Sequence, residues 1–154
     1  MASKHPEPWG IEFFKRHIKD DPDEVIPGRV FLESCPKKVQ VQIEAVLTAV
    51  ADAPPPAFSG GGFWEVMHGE MAGYYEIRVD GPKRPRDKGA SPRHYRLFCV
   101  LERNGKALGL EGPSLVVIAG KDKAFRTKLS AADYTEVRSL GDEYRSRKPR
   151  SVEK

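Results

Sequence analysis

The segment from Pro36 to about Asp52 constrains the fold most, because its apolar residues recur with the period of an α-helix and fall on one side. These residues are Val39, Ile43, Val46, Leu47 and Val50. A helix with a single apolar stripe must bury it against another element. The triplet Pro54-Pro55-Pro56 ends the helix, since proline cannot donate the backbone hydrogen bond. With a shorter predicted helix at Pro27–Ser34, which begins on a favourable proline, it forms a helical hairpin suited to covering a sheet.

Downstream of residue 73 the hydrophobic period changes to two, which predicts β-strands. In Tyr74–Asp80, the apolar residues at 75, 77 and 79 point to one side, and Glu76 and Arg78 point to the other. His94–Glu102 repeats the pattern and places Arg96 opposite its apolar side. Asn104-Gly105 is a type I′ hairpin signal, so the apolar run Leu115–Ala119 is expected to fold back antiparallel as a central strand. A first, edge strand is expected within residues 9–18.

The chain has 154 residues, the size of one domain, so residues 1–154 are interpreted as a single α+β domain. A last helix is predicted from Ser130, a good N-cap, to about Arg147. Its apolar stripe is interpreted as core or as a partner-binding surface; it consists of Tyr134, Val137, Leu140 and Tyr144. Residues 1–8 and 148–154 are expected to be flexible tails.

Positive charge is concentrated in the second part of the chain. Residues 1–59 contain seven Lys/Arg and nine Asp/Glu, a net −2, whereas residues 60–154 contain nineteen and thirteen, a net +6. Such asymmetry favours a polyanionic partner or an acidic protein. The sequence shows neither a membrane span nor the apolar core of a signal peptide, so a cytoplasmic protein with no membrane partner is expected.

No cofactor or metal is expected from the motifs. The acidic turn at residues 20–24 is interpreted as a solvated loop, and no second carboxylate cluster is placed to complete a coordination shell. The glycines at 60–62 lack the GK[ST] ending of a phosphate-binding loop. Cys35 and Cys99 do not have the spacing of a metal site and are interpreted as reduced, partly buried thiols.

The segment from Gly81 to Arg93 combines several cations with a single acid, Asp87. The cations are Lys83, Arg84, Arg86, Lys88 and Arg93. Two interpretations remain open for it. It is either a solvated loop or an arm that runs along phosphates and displaces their counterions.

Three patterns resemble the RelE/HigB family of toxins from type II toxin–antitoxin systems. GRVFLESCPKKVQVQIEAVLTAVADAP is similar to the helical hairpin of HigB-like proteins, and YYEIRVDG is similar to their "hxELR" strand. HYRLFCVLE and LVVIAGKDKAFR resemble the two strands that follow. Together the patterns span roughly residues 25–145, and their order and spacing carry the resemblance.

The resemblance implies a RelE-like fold, with an N-terminal strand and helical hairpin packed on an antiparallel sheet meander, followed by a C-terminal helix. It also implies an mRNA interferase, a ribosome-dependent and metal-independent mRNA endonuclease that a cognate antitoxin neutralises. In that reaction the RNA 2′-hydroxyl attacks the adjacent 3′-phosphate. The alternative is a RelE-fold binding module without nuclease activity, acting through protein or nucleic-acid contacts.

By position in the motifs, the resemblance assigns Arg78 and Arg96 to the phosphate. It assigns the RNA backbone to Lys121, Lys123 and Arg126, to which the basic loop adds Lys83, Arg84 and Arg86. His94 is the candidate acid or base, because its pKa is ordinarily near neutrality. Structural alternatives stay open: Arg78 could pair with Glu76 or Glu102 across strands, and residues 121–128 could be a solvated connection. The family's "KK" pair appears here as Lys-Asp-Lys, and Asp122 is expected to reduce the local charge.

Overall fold

The computed structural model describes residues 7–54, 61–85, 87, 92–124 and 127–154. Its helices and strands occur largely in separate runs along the chain, as is typical of the α+β class. In chain order they are β1 (Gly10–Phe14), α1 (Pro27–Ser34), α2 (Lys37–Asp52), β2 (Trp64–Val66), β3 (Tyr75–Gly81), β4 (Arg93–Glu102), β5 (Ser114–Ala124), α3 (Ala131–Arg145) and β6 (Val152–Glu153).

The strands form one sheet in the order β2-β3-β4-β5-β1-β6. All neighbours are antiparallel except β1 and β5, which run parallel. The sequence predicted that the first strand lies at an edge of the sheet. This prediction is wrong, because β5 and β6 flank β1. Residues 148–154, expected to be a flexible tail, supply β6, in which Val152 pairs with Phe14.

The two helices of the hairpin cover one face of the sheet, here called the hairpin face. The stripe predicted for α2 is confirmed: Val39, Ile43, Leu47 and Val50 are buried, and Val46 packs against their cluster. On the sheet side this core contains alternate residues of β3, β4 and β5: Ile77, Val79, Tyr95, Leu97, Cys99, Leu115 and Val117.

The opposite face, here called the α3 face, is covered by the last helix. Val137 and Tyr144 of α3 are buried in a second core with Phe98 and Ile118 of the sheet. The predicted N-cap is confirmed, since Ser130 accepts a hydrogen bond from the Asp133 backbone and the Asp133 side chain binds back to Ser130. This reciprocal cap fixes where the helix begins over the sheet.

Two predictions about β5 are corrected. The antiparallel return after β4 is confirmed, but the Asn104-Gly105 turn is not type I′, because Asn104 has a φ of −105° and a 3₁₀ helix follows at Gly105–Leu108. That helix ends on Gly109, whose φ of 84° suits glycine. The strand also continues to Ala124, five residues past its predicted end. Lys121 and Lys123 therefore lie within a strand and not in a solvated connection.

Candidate functional site

Four of the predicted cations come together on the α3 face. Arg78 of β3 is the direct register partner of Arg96 on β4, and Arg96 is in turn the partner of Lys121 on β5. We call these three residues the basic row. The adjacent register positions are Asp80, His94 and Lys123.

A β-bulge in β5 is what brings the two lysines to this face. Phe98 pairs with Ala119 whereas Cys99 pairs with Val117, so Ile118 is an extra residue on β5. An extra residue reverses the side to which all later side chains of a strand point. Val117 therefore faces the helical hairpin, while Lys121 faces α3.

Every residue of the basic row lies at ion-pair distance from at least one carboxylate. Arg78 donates to Glu65 at 2.9 Å and lies 3.7 Å from Glu76. The Arg96 guanidinium is 3.9 Å from Glu76 and 3.4 Å from Asp80. The predicted pairing of Arg78 with Glu76 is present, but both residues lie on β3, and the cross-strand partner of Arg78 is Glu65. Glu102 instead accepts a hydrogen bond from Tyr144.

The first turns of α3 supply the partners of Lys121. Its ammonium donates to Glu136 at 2.5 Å and lies 3.9 Å from Asp133. Lys123 differs, because its ammonium makes no ion pair or hydrogen bond with any side chain in the described part of the chain. Burial lowers the pKa of Lys123, and the positive charge of Arg96 lowers it further.

Glu76 is a functional candidate that the sequence reasoning named only as an ion-pair partner. It is buried and lies between Arg78 and Arg96. Burial raises the pKa of Glu76, although the charges of Arg96 and Arg78 oppose the change. A buried carboxyl with a raised pKa beside two guanidinium groups is the arrangement expected of an acid–base residue. The alternation of β3, which places residues 76 and 78 on one side, is the signal that could have found it.

His94 bonds to a carboxylate through one ring nitrogen. Its Nδ1 lies 2.5 Å from Oδ1 of Asp80. Burial acts to raise the pKa of Asp80, but the hydrogen bond and charge of His94, together with Arg96, hold it below its ordinary value. A carboxylate on Nδ1 fixes the orientation of the imidazole ring and directs Nε2 away from Asp80.

A third ionisable group reaches this region from α3. The Tyr134 ring packs edge-on against Phe98, with ring centroids 6.1 Å apart. Burial raises the pKa of Tyr134, and the negative charge of Glu76 adds to the increase. The charge of Glu76 therefore reaches the Tyr134 phenol as well as the two arginines.

The basic loop is bound to the opposite face of the sheet. Arg84 and Arg93 both donate to Asp122, and Arg84 also donates to the carbonyl and hydroxyl of Ser34 on α1. The Arg84 side chain is only 15% exposed, which suits a structural link between α1 and the sheet better than a contact with RNA. Lys83 is exposed, and its assignment to RNA stays a prediction. Arg86, Lys88 and Arg126 lie outside the described residues.

The site combines cations suited to phosphate with groups that can move a proton. Arginine binds phosphate oxygens with its planar fork, and both arginines are on adjacent strands. Five carboxylates of the described residues lie at ion-pair distance from the basic row, namely Glu65, Glu76, Asp80, Asp133 and Glu136. An anionic ligand must therefore displace some of them.

No protein-family model, curated protein or solved structure matches this chain. In the described ranges, no helix is long and apolar enough to cross a membrane. The same residues contain no cluster of three or more His, Cys, Asp or Glu side chains placed to hold a metal ion. The geometry of the α3 face is therefore the basis on which function is inferred.

Proposed function

We propose that this chain is a RelE/HigB-like toxin, a metal-independent endoribonuclease that cleaves mRNA on the ribosome and is neutralised by an antitoxin. One observation carries the proposal: Arg78 and Arg96 are register partners on neighbouring strands, with the buried carboxyl of Glu76 between them. The order of elements, a strand and helical hairpin followed by a meander and a helix, is compatible with it.

The proposed reaction needs a base, cations and an acid. The 2′-hydroxyl attacks the neighbouring phosphorus and gives its proton to the base. The 5′-oxygen leaves with a proton from the acid, so the products are a 2′,3′-cyclic phosphate and a 5′-hydroxyl. We assign Glu76 as the base, because its raised pKa makes it a stronger proton acceptor than an ordinary carboxylate. We assign His94 as the acid, oriented by Asp80.

The arginines stabilise the charge that builds up on the phosphorane oxygens. Arg96 is fixed in place by Glu76, Asp80 and the carbonyl of Tyr95. Arg78 is the member that can change partners, because its side chain is 40% exposed and that of Glu65 is 51% exposed. An exposed ion pair of this kind contributes at most about 1 kcal/mol, so a phosphate can replace Glu65 at low cost.

The test is cleavage of mRNA by the purified protein on programmed ribosomes in the presence of EDTA. We expect Arg78→Ala and Arg96→Lys each to slow cleavage about 10²-fold, the size of losing one preorganised charge-stabilising donor. Arg96→Lys keeps a cation beside the buried Glu76, so it spares the fold. Lys106→Ala removes an exposed cation from the β4–β5 connection and is the matched control.

If the wild type cleaves mRNA and both arginine variants cleave it equally fast, the assigned site is refuted. Expression in bacteria gives a second readout, since the wild type should slow growth and the two variants should not. A wild type that neither slows growth nor cleaves transcripts refutes the nuclease.

A second candidate is a binding module without nuclease activity. The observation that favours it is the neutralisation of the basic row, because each of its cations already has carboxylate partners. Such a module should co-sediment with ribosomes or bind RNA while leaving transcripts intact. A steep loss of RNA binding with added salt would indicate phosphate contacts. Binding to a protein that does not change with salt would indicate that the module acts through protein contacts.

A further inference from the structure

A second candidate site lies at the other end of β5. A cavity of about 360 Å³ opens where β1 begins beside the start of β5. Its lining comes from three short segments: residues 8–12, residues 111–114 and Lys154. Seven residues of extended strand, roughly 23 Å, separate Ser114 at this cavity from Lys121 in the basic row. The cavity is therefore distinct from the candidate nuclease site.

The cavity is lined by a largely buried glutamate whose carboxylate has no hydrogen-bond partner among the described residues. Glu12 is only 4% exposed, although it lines the cavity. Its carboxylate accepts no hydrogen bond and forms no close ion pair within the described residues, although the positive charge of Lys154 acts on it from a longer distance. Charged groups with little exposure are normally hydrogen-bonded, so a carboxylate that lines the cavity without a hydrogen-bond partner can accept one from a ligand.

The surrounding polar groups add further acceptors. The Ser114 hydroxyl donates to the carbonyl of Gly112 at 2.8 Å, which leaves its oxygen able to accept. Glu111 accepts from Lys154 at 2.6 Å at the rim, and Lys154 is the only cation among the lining residues. Trp9 and Pro113 provide apolar wall.

We propose that this cavity binds an alkylguanidinium group, with Glu12 as its counterion. A guanidinium has five N–H donors and no acceptor, so it matches a cavity that offers carboxylate and hydroxyl oxygens. Its alkyl stem matches the apolar wall beside Trp9. The group can come from an arginine residue of a partner protein or from free arginine.

The experiment titrates the full chain with small probes and follows binding by calorimetry and by the Trp9 indole N–H signal. N-acetyl-arginine amide represents an arginine residue, and free L-arginine represents the metabolite, whose own carboxylate is repelled by Glu111. N-acetyl-citrulline amide has nearly the same shape without the charge. We expect N-acetyl-arginine amide to bind at least tenfold more tightly than the citrulline probe. Free arginine binding more tightly than the blocked residue assigns the site to a metabolite; the reverse assigns it to a protein partner.

The variant Glu12→Gln removes the charge at nearly constant shape. It should weaken binding of N-acetyl-arginine amide at least tenfold and abolish the preference over citrulline. Glu44→Gln makes the same chemical change at an exposed position of α2 and should leave binding unchanged. Equal binding of the two probes, no binding of either, or unchanged binding by Glu12→Gln each overturns the proposal.

A measurement on the wild type alone keeps the test independent of the variant's folding. Burial raises the pKa of Glu12; Lys154 opposes this and Glu111 adds to it. The guanidinium binds the ionised form, so affinity should rise with pH through the raised pKa of Glu12. Below that pKa, binding should release a proton, which calorimetry in two buffers of different ionisation enthalpy detects. Binding that neither changes with pH nor releases a proton contradicts the role of Glu12.

Discussion

Replacing Asp122 by alanine should destabilise the protein strongly, because two guanidinium groups share this carboxylate. The side chains of Arg84 and Arg93 are 15% and 10% exposed, and both donate to Asp122. Removing one partner of a buried ion pair typically costs about 3–5 kcal/mol, because it leaves charge buried without a counterion. Arg93 keeps Asp87 as a second partner. We therefore expect a loss of about 3 kcal/mol, the lower end of that range.

The assay is urea unfolding at pH 7, followed by circular dichroism. Glu111→Ala is the control, since its ion pair with Lys154 is equally short at 2.6 Å but its side chains are 65% and 77% exposed. Such a surface pair contributes at most about 1 kcal/mol. A loss for Asp122→Ala no larger than that of the control refutes the reasoning, and makes Arg84 available to RNA as the sequence predicted.

The same network sets a pH window. Burial acts to raise the pKa of Asp122, but hydrogen bonds from Arg84 and Arg93 hold it below its ordinary value of 3.8. An acid with a lowered pKa contributes stability that is present above its unfolded-state pKa and is lost as pH falls through the folded-state value. The difference in unfolding free energy between the wild type and Asp122→Ala should therefore be largest above about pH 4 and should disappear in stronger acid.

Three further predictions test the fold and the site. Gly120→Ala places a methyl group against the Phe31 ring on the hairpin face and should cost about 1–3 kcal/mol by overpacking, measured as a lower urea midpoint. Ser130→Ala removes the acceptor for the Asp133 backbone N–H and should cost about 1 kcal/mol, seen as a lower melting temperature of the helical signal. If Glu76 is the base, mRNA cleavage should fall as pH drops through a pKa above the ordinary 4.5; a rate that stays constant down to pH 4.5 contradicts that role.

The elements that local patterns specify could be predicted from the sequence. The helical period of residues 36–52 gives α2 almost to the residue, since a single apolar stripe is a strong constraint. The two-residue alternation of β3 and β4 gives the sides on which Arg78 and Arg96 lie. These periods follow from the geometry of one element and need no information about its neighbours.

Non-local pairing explains what could not be predicted. Nothing within residues 9–18 shows that β1 pairs in parallel with a strand about a hundred residues away, or that β6 covers its other edge. The sequence predicted a flexible tail at residues 148–154. In the structure, Arg147 donates to Asp20 and Arg150 donates to the carbonyls of Arg145 and Arg147. These contacts become visible only when the chain is folded.

The bulge at Ile118 determines how the Lys-Asp-Lys sequence affects the site. Without it, Lys121 and Lys123 would continue on the side of Val117, against the helical hairpin, and Asp122 would join the basic row. With it, the two lysines lie beside Arg96 and His94, and Asp122 faces the hairpin. The aspartate that was expected to dilute the basic patch therefore neutralises Arg84 and Arg93 on the other face of the sheet. One inserted residue thus places the cations that can bind a phosphate on one face of the sheet, and leaves the ion pairs of Arg84 and Arg93 that stabilise the fold on the other.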